Sequence, residues 1–173
     1  MNPPDLIEFN EYPGWNEYIE VIYTVYCKEL KTKYFQFEGK QIALKKYPTY
    51  QGKDKAFWHI VTAGEIEDQR NPDLRKCAHI KWIRYVVDNC TNSFIKIWKN
   101  NRKGKTNVCL AMDDFSYLVV LGERNGYVIL LSAYPTPDPY KKIKLRREYE
   151  QYIELNRIRP NGADSSSPST HGR

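Results

Sequence analysis

"SYLVVLGERNGYVILLSAYP", residues 116–135, decides the fold. Two runs rich in β-branched and aromatic residues, each of strand length, flank "ERNG", and Asn125-Gly126 stands where a type I′ hairpin takes its central pair. A connection this short joins antiparallel strands, because parallel neighbours need a crossover of a dozen residues or more. Upstream, "SFIKIW" (93–98) and "KTNVCLA" (105–111) are two further strand-length runs, with "KNNRKG" and "MDD" as their turns. The spacing predicts a four-stranded antiparallel meander. Alternation along its last strand puts Val128, Leu130, Ser132 and Tyr134 on one face, and Tyr127, Ile129, Leu131 and Ala133 on the other.

Outward from the meander the patterns change period. Ile19, Ile22, Tyr26 and Leu30 recur at helical spacing and predict an amphipathic helix from Trp15 to about Lys31. "YFQFEGKQIALKK" reads as a short hairpin around Glu38-Gly39-Lys40. "AFWHIVT" (56–62) has the β-branched and aromatic content of a strand. Asn71 and Pro72 look like the N-cap and first-turn proline of a helix reaching about Asn89. Asp138 and Pro139 open a last helix, and the tail at 159–173, low in apolar residues, is expected to be disordered. The expected class is α+β: N-terminal helices and a short hairpin, a four-stranded antiparallel meander sheet and a C-terminal capping helix, in one domain over 1–158.

Composition narrows the function classes. With 173 residues, 41% hydrophobic and 14% aromatic, the chain can bury one sizeable core. A net charge of +6 favours a polyanionic partner. No apolar run nears the roughly 20 residues that cross a membrane, so no membrane association is expected. Cys27, Cys77, Cys90 and Cys109 form no CxxC pair, and without a signal-peptide pattern they read as reduced thiols of a cytoplasmic protein. Cys77 and His79 are close in sequence but point apart on a helix, so no metal is expected there. No Gly-rich phosphate loop, HExxH or GxSxG is present, and no cofactor is implied.

The chemistry-bearing residues are few. His171 lies in the tail, which leaves His59 and His79 as imidazoles within the fold. Imidazole suits proton transfer in either direction near neutrality. A lone histidine in an apolar run is more often structural. "DLRKCAHIKWIR" (73–84) is the densest basic and aromatic interleaving in the chain, and makes Arg75, Lys81 and Trp82 candidate substrate contacts. Metal-independent RNA cleavage needs a base for the ribose 2′-hydroxyl, cations for the phosphorane and an acid for the leaving 5′-oxygen. The chain holds such an inventory without being diagnostic of it.

The order "FWHIVT", "PDLRKCAHIKWIR", "GKTNVCL", "YLVVL…NGYVILLSAYP" and "KKIKLRREYE" resembles phage- and prophage-associated toxins of the barnase–EndoU–colicin–RelE-like (BECR) ribonuclease group, over roughly 15–150. The resemblance implies helices leading into a four-stranded antiparallel sheet. It implies a metal-independent endoribonuclease acting on tRNA or mRNA inside a bacterial cell, with an antitoxin or immunity protein as partner. By position it makes His59 the acid–base residue and Arg84 and Lys105 phosphate-binding cations. Thr106, Ser132 and Tyr134 would supply polar contacts to the substrate at the sheet, and Thr62 is a further candidate substrate contact. Two alternatives stay open: a non-catalytic nucleic-acid-binding module using the basic helix and the last helix, and a protein-interaction domain using a surface rich in the chain's 14 tyrosines.

Overall fold

A computed structural model describes residues 2–64, 66 and 69–158. The expected tail at 159–173 lies outside the described residues. The class is α+β, but the sheet is larger than a four-stranded antiparallel meander. It has six strands in the order β1-β2-β8-β7-β6-β5 and is mixed. Strands β5 (Ile95–Arg102), β6 (Lys105–Met112), β7 (Tyr117–Arg124) and β8 (Tyr127–Pro135) pair antiparallel with their sequence neighbours. The hairpin β1 (Gln36–Phe37) and β2 (Lys40–Ala43) adds to the far side, where β2 runs parallel to β8 through Ile42↔Val128 and Ala43↔Ile129. Nothing in the local pattern of "KQIA" announces that long-range pairing.

The sheet is covered on both faces, which explains why β6 and β7 read as nearly continuous apolar runs. Against one face lie α1 (Trp15–Leu30), α2 (Lys55–Val61), α3 (Leu74–Ala78) and α4 (Ile80–Asp88), sealing a core that includes Tyr18, Ile22, Phe57, Ile83, Leu110 and Val119. Against the other lies α5 (Pro139–Ile158), whose Leu145 is buried with Trp98, Cys109, Phe115 and Leu118. The Asp138 carboxylate caps α5 by accepting from the Tyr140 amide at 2.9 Å.

Four local expectations change. "AFWHIVT" is helical as far as Val61: Ala56, Phe57, Ile60 and Val61 are buried, a helical spacing that turns Trp58 and His59 off the core. Tertiary burial outweighs the β-propensity of the run. Asn71 and Pro72 form a short strand, β4 (Asn71–Pro72), paired with β3 (Thr62–Ala63). The cap is instead Asp73, which accepts from the Arg75 and Lys76 amides, and the helix breaks at His79 into α3 and α4. At Asn125-Gly126 only Gly126 takes a left-handed φ, 85°; the pairs with positive φ at both central positions, among the described residues, are Glu38-Gly39, Gln51-Gly52 and Lys103-Gly104. Finally, a β-bulge between Val120 and Leu121 skips Leu131 in the register and flips the alternation of β8. Val128, Leu130 and Ala133 therefore join the core under α1–α4, while Tyr134 packs on the α5 side with Val120.

A candidate nucleic-acid cleft around helix α2

Helix α2 is short, and both its ends are tied down by charge. At its start Asp54, 3% exposed, makes no side-chain cap. Its Oδ2 meets Lys31 Nζ at 3.0 Å and accepts from the Tyr26 hydroxyl at 3.4 Å, which ties α2 to α1. That hydrogen bond holds the Lys31 ammonium above its ordinary pKa. The neighbouring Lys53 Nζ lies 2.5 Å from Glu20 Oε1.

At the other end two cations close on the carbonyls that a helix C-terminus leaves over. Arg70 donates from Nη2 to the Thr62 carbonyl (2.7 Å) and the His59 carbonyl (3.2 Å), from Nη1 to the Gly64 carbonyl (2.6 Å) and from Nε to Thr62 Oγ1 (2.9 Å). Thr62 Oγ1 in turn donates to the Trp58 carbonyl at 2.5 Å. Lys76 Nζ donates to the Thr62 carbonyl at 2.8 Å and lies 5.8 Å from the Tyr134 ring centroid. Burial, and then the nearby Arg70, hold the Lys76 ammonium below its ordinary pKa.

Against α2 opens a cleft of about 590 Å³. Its cationic and imidazole groups are Lys55, His59 and Arg70; its aromatic walls are Trp15, Tyr50 and Trp58. Tyr50 and Trp58 meet edge to face with centroids 5.6 Å apart, and the Trp58 indole donates to the Tyr50 carbonyl at 2.8 Å. A second, smaller cavity of about 190 Å³ lies against the same helix and is lined by Lys45, Ile60, Ile129 and Leu131. Lys55 and His59 line both cavities. They are one helical turn apart and so share a face.

Of the residues singled out in the sequence, His59 and Thr62 meet in this cleft; Tyr134 does not line it, and lies with its ring centroid 5.8 Å from Lys76 Nζ. The others lie elsewhere. Arg84 holds α4 to α1 and itself, donating to Asp88 Oδ2 (2.6 Å), the Glu29 carbonyl (3.0 Å) and Thr32 Oγ1 (3.3 Å). Lys105 and Thr106 lie at the tip of the β5–β6 hairpin, in register with Arg102 and Asn101. Ser132 sits opposite Val120 on the α5 side of the bulge. The Trp82 indole donates to the Pro4 carbonyl at 2.9 Å while its ring packs against His79 and Tyr117, so it is part of the packing and not a platform for bases. Arg75 is exposed, and Lys81 half-buried on α4; neither lines either cavity. His79 Nδ1 lies 2.7 Å from the Arg75 carbonyl.

Lys55, Trp15, Tyr50 and Arg70 were not singled out in the sequence. Lys55 alone had a signal there: read as a helix, 55–61 places it on the His59 face. All four cysteines are free, and burial pushes the Cys77 and Cys109 thiols up to about 12, which makes them inert packing groups. No protein-family model, no curated protein and no solved structure matches the chain.

Proposed function

We propose that the chain is a metal-independent endoribonuclease whose reaction is centred on His59. The observation that carries the reading is the pairing of His59 with Lys55, one turn apart on α2, at the edge of a cleft walled by Trp15, Tyr50 and Trp58. The aromatic rings offer stacking surfaces to bases, which every base accepts. The His59 imidazole takes the proton from a ribose 2′-hydroxyl, whose oxygen attacks the adjacent phosphorus. The Lys55 ammonium places positive charge against the phosphorane, the part first assigned to Arg84 and Lys105. The bond to the 5′-oxygen breaks, that oxygen takes a proton from the solvent to which the cleft opens, and a 2′,3′-cyclic phosphate remains. Arg70, Thr62 and Asp54 act at one remove, by fixing the two ends of α2.

The resemblance to prophage toxins supports a role in which expression without an antitoxin or immunity partner arrests bacterial growth. Bulk RNA incubated with the purified protein in EDTA gains new ends bearing cyclic phosphate, and His59→Ala abolishes them while leaving the melting temperature in place. New ends of unchanged yield with His59→Ala sink the assignment. The competing reading, a module that binds RNA without cutting it, is favoured by the engagement of Arg70 with main-chain carbonyls. Intact RNA together with a salt-sensitive gel shift decides for that reading.

A further inference from the structure

The two cavities lie on opposite flanks of α2. On a helical wheel Trp58 and Thr62 fall to one side of Lys55 and His59, and Ala56 and Ile60 to the other. The first pair lines the aromatic cleft and the second lines the smaller cavity. The Lys55–His59 face is therefore a ridge with a hollow on each side, and the hollows differ. One is wide and aromatic. The other is narrow and aliphatic, walled by Ile129 and Leu131 of β8, with Lys45 at its rim.

The narrow hollow has a topological cause. β2 pairs with β8 only as far as Ala43↔Ile129, so beyond Ile129 no strand among the described residues lies on that edge of β8, and α2 sits beside it. The bulge that leaves Leu131 out of the register falls in the same place. An edge strand offers main-chain donors and acceptors to whatever lies against it. A planar heterocycle with polar edges matches such a wall, with Ile60 and Leu131 supplying apolar contact.

We propose that this ridge seats two consecutive nucleotides of a single-stranded RNA. The phosphate between them lies on Lys55 and His59, one base stacks in the aromatic cleft, and its neighbour enters the notch between α2 and β8. A duplex does not fit, because the two bases must part to opposite sides of a helix. The inference rests on the ribonuclease reading for the identity of the phosphate-bearing polymer, but binding does not require cleavage.

The test uses 2′-O-methyl RNA, which lacks the attacking hydroxyl, so seating is measured apart from catalysis. Affinities for the full-length protein are read by titration of a mononucleoside 3′-phosphate, a dinucleoside monophosphate bearing a 3′-phosphate, a single-stranded octamer and its duplex. The dinucleotide binds roughly tenfold more tightly than the mononucleotide, and the octamer at least tenfold more tightly than the duplex. Leu131→Ala removes most of the dinucleotide advantage and leaves the mononucleotide affinity within about twofold. Tyr50→Ala weakens both by roughly five- to a hundredfold; the ring is exposed, so its loss spares the core. Equal affinity for mono- and dinucleotide, equal affinity for duplex and single strand, or a Leu131→Ala variant that keeps the full advantage overturns the two-sided seat. Retained ordering of affinities with no cleavage of unmodified RNA overturns the ribonuclease reading alone. Cleavage without the ordering overturns the seat alone.

Discussion

Two regions of this molecule are rich in positive charge, and they differ in what surrounds it. At the β5–β6 hairpin, Arg102, Lys103 and Lys105 stand exposed on a two-residue turn. Around α2, Lys55, Arg70 and Lys76 are half-buried between aromatic rings and main-chain carbonyls. The first is the more conspicuous in sequence, as the run "RKGK". The second is the one with a concave surface, an imidazole and stacking walls. Exposed charge keeps its hydration and screens with salt; charge held in a cleft has a fixed direction in which to act.

The sharpest way to break the comparison is to remove the imidazole. His59→Ala should lower the rate of RNA cleavage by roughly 10²- to 10⁴-fold, the range for loss of a general acid–base group, with an unchanged thermal melt. A loss of less than tenfold would put the chemistry elsewhere.

Next in size is the clamp. Arg70→Met leaves the Gly64 and His59 carbonyls without their charged donor and the Thr62 carbonyl with Lys76 alone, and should cost about 2–3 kcal/mol of stability in a denaturant titration. Cleavage should fall with it, because α2 loses its fixed end. Full stability in the variant would show that the clamp holds nothing.

Alkaline pH should loosen the core on the α1–α4 side of the sheet. Burial holds the Tyr26 and Tyr117 phenols above their ordinary pKa, and the hydrogen bond to Asp54 does so for Lys31. Each folded value exceeds its unfolded value, so this stabilisation is whole below about pH 10 and is lost as pH rises through the folded values. Melting temperatures taken between about pH 8 and about pH 11 should fall, and the Lys31→Met variant should fall slightly less steeply, since solvent screens that half-exposed ammonium. A flat profile would contradict the burial of the two phenols.

The smallest effect belongs to the hairpin. Lys105→Ala should change stability by less than about 0.5 kcal/mol and cleavage by less than about twofold, because the side chain stands in solvent. A large drop in cleavage would move the phosphate contact to the turn and undo the contrast.

What was legible in the sequence follows the range of the forces involved. The α1 helix, the β1–β2 hairpin and the presence of four strands in the last third of the chain are set by local periodicity and turn residues and are legible, although "KNNRKG", read as a turn, runs as strand through Arg102 and the sheet extends beyond these four. Helix α2 did not, because Phe57, Trp58, Ile60 and Val61 favour strands locally and only the burial pattern of the finished core turns them into a helix. The break at His79 escaped a periodicity that runs straight through it. The site suffered for the same reason. His59 and Thr62, singled out by residue type, line the cleft; Lys55 is hidden by the strand-like reading of 56–62, and Arg70 by a charged stretch whose sequence says nothing of the carbonyls it meets. The bulge at Leu131 likewise has no mark in "GYVILLSAY", and it alone separates Ser132 and Tyr134 from the face to which alternation assigned them.

The parallel contact of β2 with β8 joins residues more than eighty positions apart, Ala43 to Ile129. A ribosome adds roughly 5–20 residues per second, so His59 is exposed to the cell several seconds before the strand that walls its narrow side exists. Contacts of such separation also form late in folding. The order of synthesis itself thus delays the assembly of the cleft flanks around His59 until nearly the whole sheet has been made.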